Sequence, residues 1–196
     1  MEQSAPMDTD TFWDTVEAAR TEAASTGEAL DGILVRHLAG KPLREILEFQ
    51  ERFDEWHDAL YRWDVWAAAY LIGGGCSDDS FMDFRAGVIA QGRHWYERVA
   101  EAPDCLASHP LVASAPRGPE RPEDLFYEAV HYVAAKAYER ITGDEDAFYD
   151  AWRDFEAAAR PDTDRGEPDM GEDFDFDDDQ EMARRLPRLA ALFIEA

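Results

Sequence analysis

Residues 42–72 read PLREILEFQERFDEWHDALYRWDVWAAAYLI. Within them Ile46, Phe53, Leu60 and Ala67 recur every seven residues, and Phe49, Trp56, Trp63 and Tyr70 repeat that interval three places later. Two such lines lie side by side on one face of an α-helix. A continuous helix over this stretch would be about 45 Å long at 1.5 Å per residue, so it must either cross the whole domain or kink, and it is expected to serve as the spine of the fold. Its rings read as core packed against neighbouring helices rather than as a box for a cofactor.

Working outward, Gly40, Lys41 and Pro42 break the chain before the spine, because proline is tolerated in a first helical turn. Upstream, Asp8 or Thr9 caps a helix carrying Phe12, Trp13 and Val16, and residues 26–37 read as a second helix. Downstream, Gly73, Gly74 and Gly75 end the spine and Ser77 opens a helix with Phe81, Phe84, Val88, Trp95 and Val99 on its buried stripe. Five prolines between 103 and 122 mark a loop with one helical turn near Leu106 or Leu111. A helix from Pro122 through Ile141, another over 144–159 and a last one carrying Met182, Leu186, Leu189, Leu192 and Phe193 complete the reading. Val, Ile and Thr never alternate as a strand requires. The expectation is an all-α, single-domain helical bundle of about six to seven helices with a long central helix. Its expected parts are a helical domain over 1–160, an acidic flexible loop over 161–181 and a docking C-terminal helix over 182–196.

Charge narrows the function. The 196 residues hold 44 acidic and 19 basic side chains, a formal charge of −25, and the sequence pI is near 4.3. Neutralising phosphates or anionic lipid needs clustered Lys and Arg, so binding to nucleic acid or to a membrane surface is not expected. Ten of the 25 net negative charges fall in residues 161–181. Cys76 and Cys105 make no disulfide framework in a chain large enough to bury roughly 70% of its unfolded surface. The first ten residues lack a leader pattern and the longest apolar run, 65–72, is far short of a membrane span. The expected location is the cytoplasm.

The least generic stretch is Trp63-Asp64-Val65-Trp66-Ala67-Ala68-Ala69-Tyr70-Leu71-Ile72 followed by Gly73-Gly74-Gly75-Cys76-Ser77-Asp78-Asp79. It sets Cys76, Asp78, Asp79 and Arg85 around a glycine elbow, with Asp64, Trp66 and Tyr70 in the helix before it. One reading is a small polar binding site: carboxylates for a cation or basic group, Arg85 as an anion clamp, and Cys76 near a helix N-terminus, where thiol pKa values fall. The other is structural, with Ser77 and the aspartates capping a helix and Asp64 pairing with Arg85. Glu128-x-x-His131 and Asp54-x-x-His57 share the spacing of di-iron bundles, but no placed pair of bridging glutamates accompanies them. Asp162 to Glu167 begins like a calcium loop, yet has Gly at the fifth position, Glu at the sixth and Asp173 at the twelfth, and the Asp173, Asp175, Asp177 run fails similarly. No metal or cofactor is expected, and hydrolase triads, phosphate-cradling loops and Cys-x-x-Cys pairs are absent.

The motifs also carry a family likeness. Phe12 with Trp13, residues 63–72 and 74–79, Phe84 with Arg85, and Gln91 with Gly92 resemble the bacterial proteins of the domain of unknown function 4240 family. Ala137 with Tyr138, Thr142 with Gly143, and Arg185 to Leu189 extend the likeness over most of the chain. The acidic insert before the last helix departs from that pattern. The resemblance implies a fold and no activity. The expected role is therefore a non-catalytic binding or protein-interaction domain whose acidic loop meets a basic protein partner. The alternative is a small hydrolase or transferase with its site at the Gly-Gly-Cys-Ser-Asp-Asp turn.

Overall fold

The computed structural model describes residues 6–114, 122–159 and 169–194. Among the described residues the protein is all-α, with eleven α-helices, three short 3-10 helices and no strand. In chain order these are α1 (Thr9–Thr26), α2 (Leu30–Leu38), α3 (Leu43–Ala59), α4 (Trp63–Gly73), α5 (Asp78–Ala90) and α6 (Arg93–Glu101). A 3-10 helix over Pro103–Ser108 leads to α7 (Pro110–Ala113), and two more, Glu123–Leu125 and Glu128–Tyr132, lead to α8 (Val133–Thr142). The chain ends with α9 (Ala147–Ala159), α10 (Asp179–Arg185) and α11 (Pro187–Phe193).

The helices are shorter and more numerous than the six to seven expected, and the long spine is two helices. No proline or glycine breaks it. At its end α3 tightens: Leu60 and Tyr61 donate to the carbonyls of His57 and Asp58, three residues back, and Arg62 turns to extended backbone at φ −140° and ψ 148°. The same His57 carbonyl also accepts from the Arg85 guanidinium at 3.1 Å, and the first N–H of α4, on Trp63, donates to the Met170 carbonyl at 3.0 Å. Of the two heptad lines, Ile46, Phe53, Leu60 and Ala67 are all buried, whereas in the other line only Phe49 is buried and Trp56, Trp63 and Tyr70 are partly exposed.

Other boundaries move for equally local reasons. Asp8 does cap α1, accepting from the Thr11 amide at 2.8 Å, but α1 runs on to Thr26 and ends at Gly27 with φ 74°, so α2 starts four residues later than the expected 26. Gly92, at φ 86°, divides the expected helix after Ser77 into α5 and α6. The expected helix from Pro122 begins as 3-10 turns, and the last helix begins at Asp179 and bends at Pro187.

The chain forms two compact units, Met1–Trp56 with Ala129–Gly166 and His57–Glu128 with Glu167–Ala196. In the first, α1 and α2 pack together, α2 packs on α8, and α8 on α9. Phe12 stacks on Phe49 at 4.8 Å between ring centroids, Trp13 meets Trp56 at 5.7 Å, and Phe53 and His131 form a T-shaped pair at 5.7 Å. Buried Glu48 accepts from the Met7 amide and from Arg44, which ties the lead into α1 to α3. Glu22 joins α1 to α2 through Arg36 and His37, and Arg36 first and His37 second hold its carboxyl below the usual range.

In the second unit α4 packs on α5, the 3-10 helix Pro103–Ser108 and α11, while α10 and α11 pack on each other. Asp104 accepts from the Arg188 and Leu189 amides, so a side chain from the 3-10 helix Pro103–Ser108 caps α11. Cys76 and Cys105 are not disulfide-bonded, and burial pushes the Cys105 thiol up.

Candidate functional site

The elbow forms as the glycines dictate. Gly74 closes α4 at φ 64°, Gly75 follows at φ 120°, and the Gly75 amide donates to the Tyr70 carbonyl at 2.9 Å. Ser77 Oγ then accepts from the Ser80 amide at 3.3 Å to cap α5, and Asp78 and Asp79 stand exposed in the first turn, at the positive end of the helix dipole.

The candidate residues do not gather into one constellation. Asp64 forms a two-pronged pair with Arg62 at 3.0 and 2.6 Å rather than with Arg85. The expected Asp64–Arg85 pair is therefore absent: Asp64 sits in the first turn of α4, beside the cation that also holds the Ala100 carbonyl. Arg85 turns instead toward the end of α3, where it bonds the His57 carbonyl and lies against the rings of Tyr61 at 4.8 Å and Phe81 at 4.9 Å. It is 5% exposed, and its Nε has no hydrogen-bond partner. Burial pulls its pKa down to about 10, against the opposing attraction of Asp58.

Trp66 donates its indole N–H to the Cys76 carbonyl at 3.0 Å, tying α4 across the elbow, while Cys76 Sγ lies 3.7 Å from the Ser77 carbonyl oxygen. Its ring is one rung in a ladder of stacked groups. Trp63 stacks on Trp66 at 5.5 Å, Trp66 on Phe81 at 4.6 Å and Tyr61 on Phe81 at 5.9 Å, with Arg85 closing the end. The other end is closed by residues that sequence reasoning missed. Phe176 meets Trp63, Trp66 and Tyr70, Phe174 meets Phe176, and Arg185 lies over Phe174 at 4.2 Å.

These contacts give the acidic stretch a course. Residues 161–168, which include the whole calcium-like Asp162 to Glu167 segment, lie outside the described residues. From Asp169 the chain crosses α4, held by Phe176, the Met170 carbonyl and a 2.5 Å hydrogen bond donated by Tyr70 to Asp177. That carboxylate is the main reason the Tyr70 pKa rises. Asp175 accepts from the Asp177 amide, Asp178 caps α10, and Asp173, Asp175, Asp178 and Asp179 face outward. The alternation Phe174-Asp175-Phe176-Asp177 was the available signal, since two rings amid aspartates need an apolar surface to lie on.

The di-iron spacing finds other uses. His57 lies against the Met82 carbonyl at 3.1 Å, Asp54 accepts from Gln50, and His131 packs on Phe53. Among the described residues no group of three or more His, Cys, Asp and Glu side chains is placed to hold a metal ion. Two surface grooves are lined by residues of the first unit, one by Thr11, Asp14, Thr15, Ala18, His37 and Lys41, the other by residues of α8, of the turn before it, of the connection after it and of the start of α9.

Among the described residues no helix is long and apolar enough to cross a membrane. Neither the curated proteins nor the solved structures contain a match to this chain. A family model described as a protein of unknown function (DUF4240) matches residues 7–140, more than half of the chain and including α1 through α6, the elbow and most of α8. The chain belongs to that family.

Proposed function

We propose that this protein acts by binding, presenting an acidic surface to a basic protein partner, rather than by catalysis at the elbow. The observation that carries the reading is the anchoring of the acidic segment. Phe176 pins the backbone to α4, Phe174 packs between Phe176 and Arg185, and the intervening and following aspartates are left displayed at set positions. Carboxylates on an ordered backbone lose less freedom on association than those on an unconstrained tail. A formal charge of −25 adds long-range attraction for cations, which raises the association rate.

Binding is favoured over a hydrolase or transferase because the elbow's groups already serve the fold. Ser77 caps α5, Asp64 neutralises Arg62, Trp66 and Tyr70 brace the chain, and Arg85 ends α3. The test is titration with an arginine-rich peptide at about 0.02 M and about 0.5 M salt, which changes the screening length severalfold. Binding at low salt that weakens steeply at high salt is expected, with a further loss in the Asp173→Asn, Asp179→Asn double variant. Absence of binding at both salts refutes the reading.

A further inference from the structure

We propose that the groove between α8 and the start of α9 seats an arginine side chain of a basic partner segment, its guanidinium lying between Tyr132 and Tyr149 and facing Glu139, Glu145 and Asp146. The inference rests on the binding reading above and names where the specificity would reside.

The groove follows from helical spacing. Tyr132, Ala135, Lys136 and Glu139 stand at intervals of three, four and seven residues, so they share one face of the segment that becomes α8. The opposite face, Val133, Ala134, Ala137 and Tyr138, is buried. Gly143 ends α8 at φ 74°, and the returning chain brings Glu145 and Asp146 and then, in the first turn of α9, Tyr149 to the same groove. Its volume is about 290 Å³. That is at the lower limit of small-molecule pockets and suits one side chain.

Two features point to a cation. Tyr132 is 45% and Tyr149 55% exposed, while Phe148 beside Tyr149 is buried, so the phenol rings lie on the outer side of the α8 and α9 pair instead of in its core. An aromatic face attracts a cation through its quadrupole, and a planar guanidinium can stack on it while its N–H groups pair with a carboxylate. Around those rings stand three carboxylates and one ammonium, Lys136, and none of the four forms an ion pair among the described residues. An anion would meet net repulsion here, and a wholly apolar group would leave the carboxylates without a gain. The face of α8 lies largely within the family match, whereas Glu145, Asp146 and Tyr149 follow it in sequence.

The probe is a blocked, tyrosine-free peptide of alternating Gly and Arg, titrated calorimetrically and by NMR of the tyrosine ring resonances. Wild-type protein is expected to bind it with shifts at Tyr132 and Tyr149. Tyr149→Ala should weaken binding about five- to tenfold at both low and moderate salt, while Tyr149→Phe, which keeps the ring, stays within about twofold. Lys136→Ala removes the resident cation and should tighten binding about two- to threefold. Because Tyr149 is more than half exposed, its loss should leave the circular dichroism unchanged. If Tyr149→Ala disturbs the fold, Lys136→Ala decides: tighter binding supports the groove, and unchanged or weaker binding overturns it. Wild-type affinity in a folded Tyr149→Ala, with weakening in the Asp173→Asn, Asp179→Asn variant, overturns the groove and leaves the acidic-surface reading standing. Failure of the wild-type protein to bind the peptide at low salt overturns both.

Discussion

Gly87 shows how one missing atom sets a contact. It sits inside α5, where alanine would be worth about 1 kcal/mol more by helix propensity alone. A Cβ placed there would lie 2.3 Å from the Leu125 carbonyl oxygen, which belongs to the 3-10 helix packed on α5. Backbone cannot yield as a flexible side chain does, so the clash outweighs the propensity. Gly87→Ala is expected to cost about 2–4 kcal/mol in urea unfolding, and a more stable variant would refute the close approach. Arg85 makes a second residue-scale prediction. Its folded pKa is about 10, below the ordinary guanidinium value, so above about pH 10 the unfolded chain binds the extra proton. Stability relative to Arg85→Met should therefore be flat below about pH 10 and rise above it. Unfolding of both proteins near pH 9 and near pH 11 would show this, and a constant difference would count against the buried guanidinium.

Among the elements, α10 depends on its own charges. Glu181 pairs with Arg184 and Arg185, which hold its pKa at about 2 against a reference of 4.5. A depressed carboxylate stabilises the fold above its unfolded pKa and stops doing so as pH falls through the folded one. The advantage of wild type over Glu181→Gln should hold above pH 4.5 and fade toward pH 2, as followed by thermal melts; a difference independent of pH would refute the pairing. The same scale shows what sequence could reveal. Helix class and caps were legible because their causes are local: Asp8 before α1, Gly74 after α4 and Ser77 before α5 act within a few residues. The break between α3 and α4 was not, because it depends on Arg85 reaching His57 and Met170 reaching Trp63, and both partners are remote in sequence. The heptad pattern runs through the break unchanged, so periodicity alone reports a continuous helix. At the candidate site, the identity of the unusual residues was legible and their pairing was not. Arg62, two residues from Asp64, is the nearer cation, and the elbow's carboxylates Asp78 and Asp79 stay in solvent.

For the molecule as a whole, 44 acidic side chains against 19 basic ones mean that folding compresses like charge. Added salt screens that repulsion over a range of about 10 Å at 0.1 M, so the melting temperature is expected to rise between about 0.01 M and 0.5 M salt. A falling temperature would mean that the surface ion pairs outweigh the repulsion. The connectivity of the two units carries one last consequence. Each is assembled from two separate stretches, and each interrupts the other along the chain. As a nascent chain leaves the ribosome, the first unit has all its segments once Gly166 has emerged, while α4 still waits for the Met170 carbonyl and Asp104 for the α11 amides it will cap. Neither unit can be cut out as an uninterrupted fragment, so a deletion that trims only α11 would deprive a segment made 84 residues earlier, the separation of Arg188 from Asp104, of its final partner.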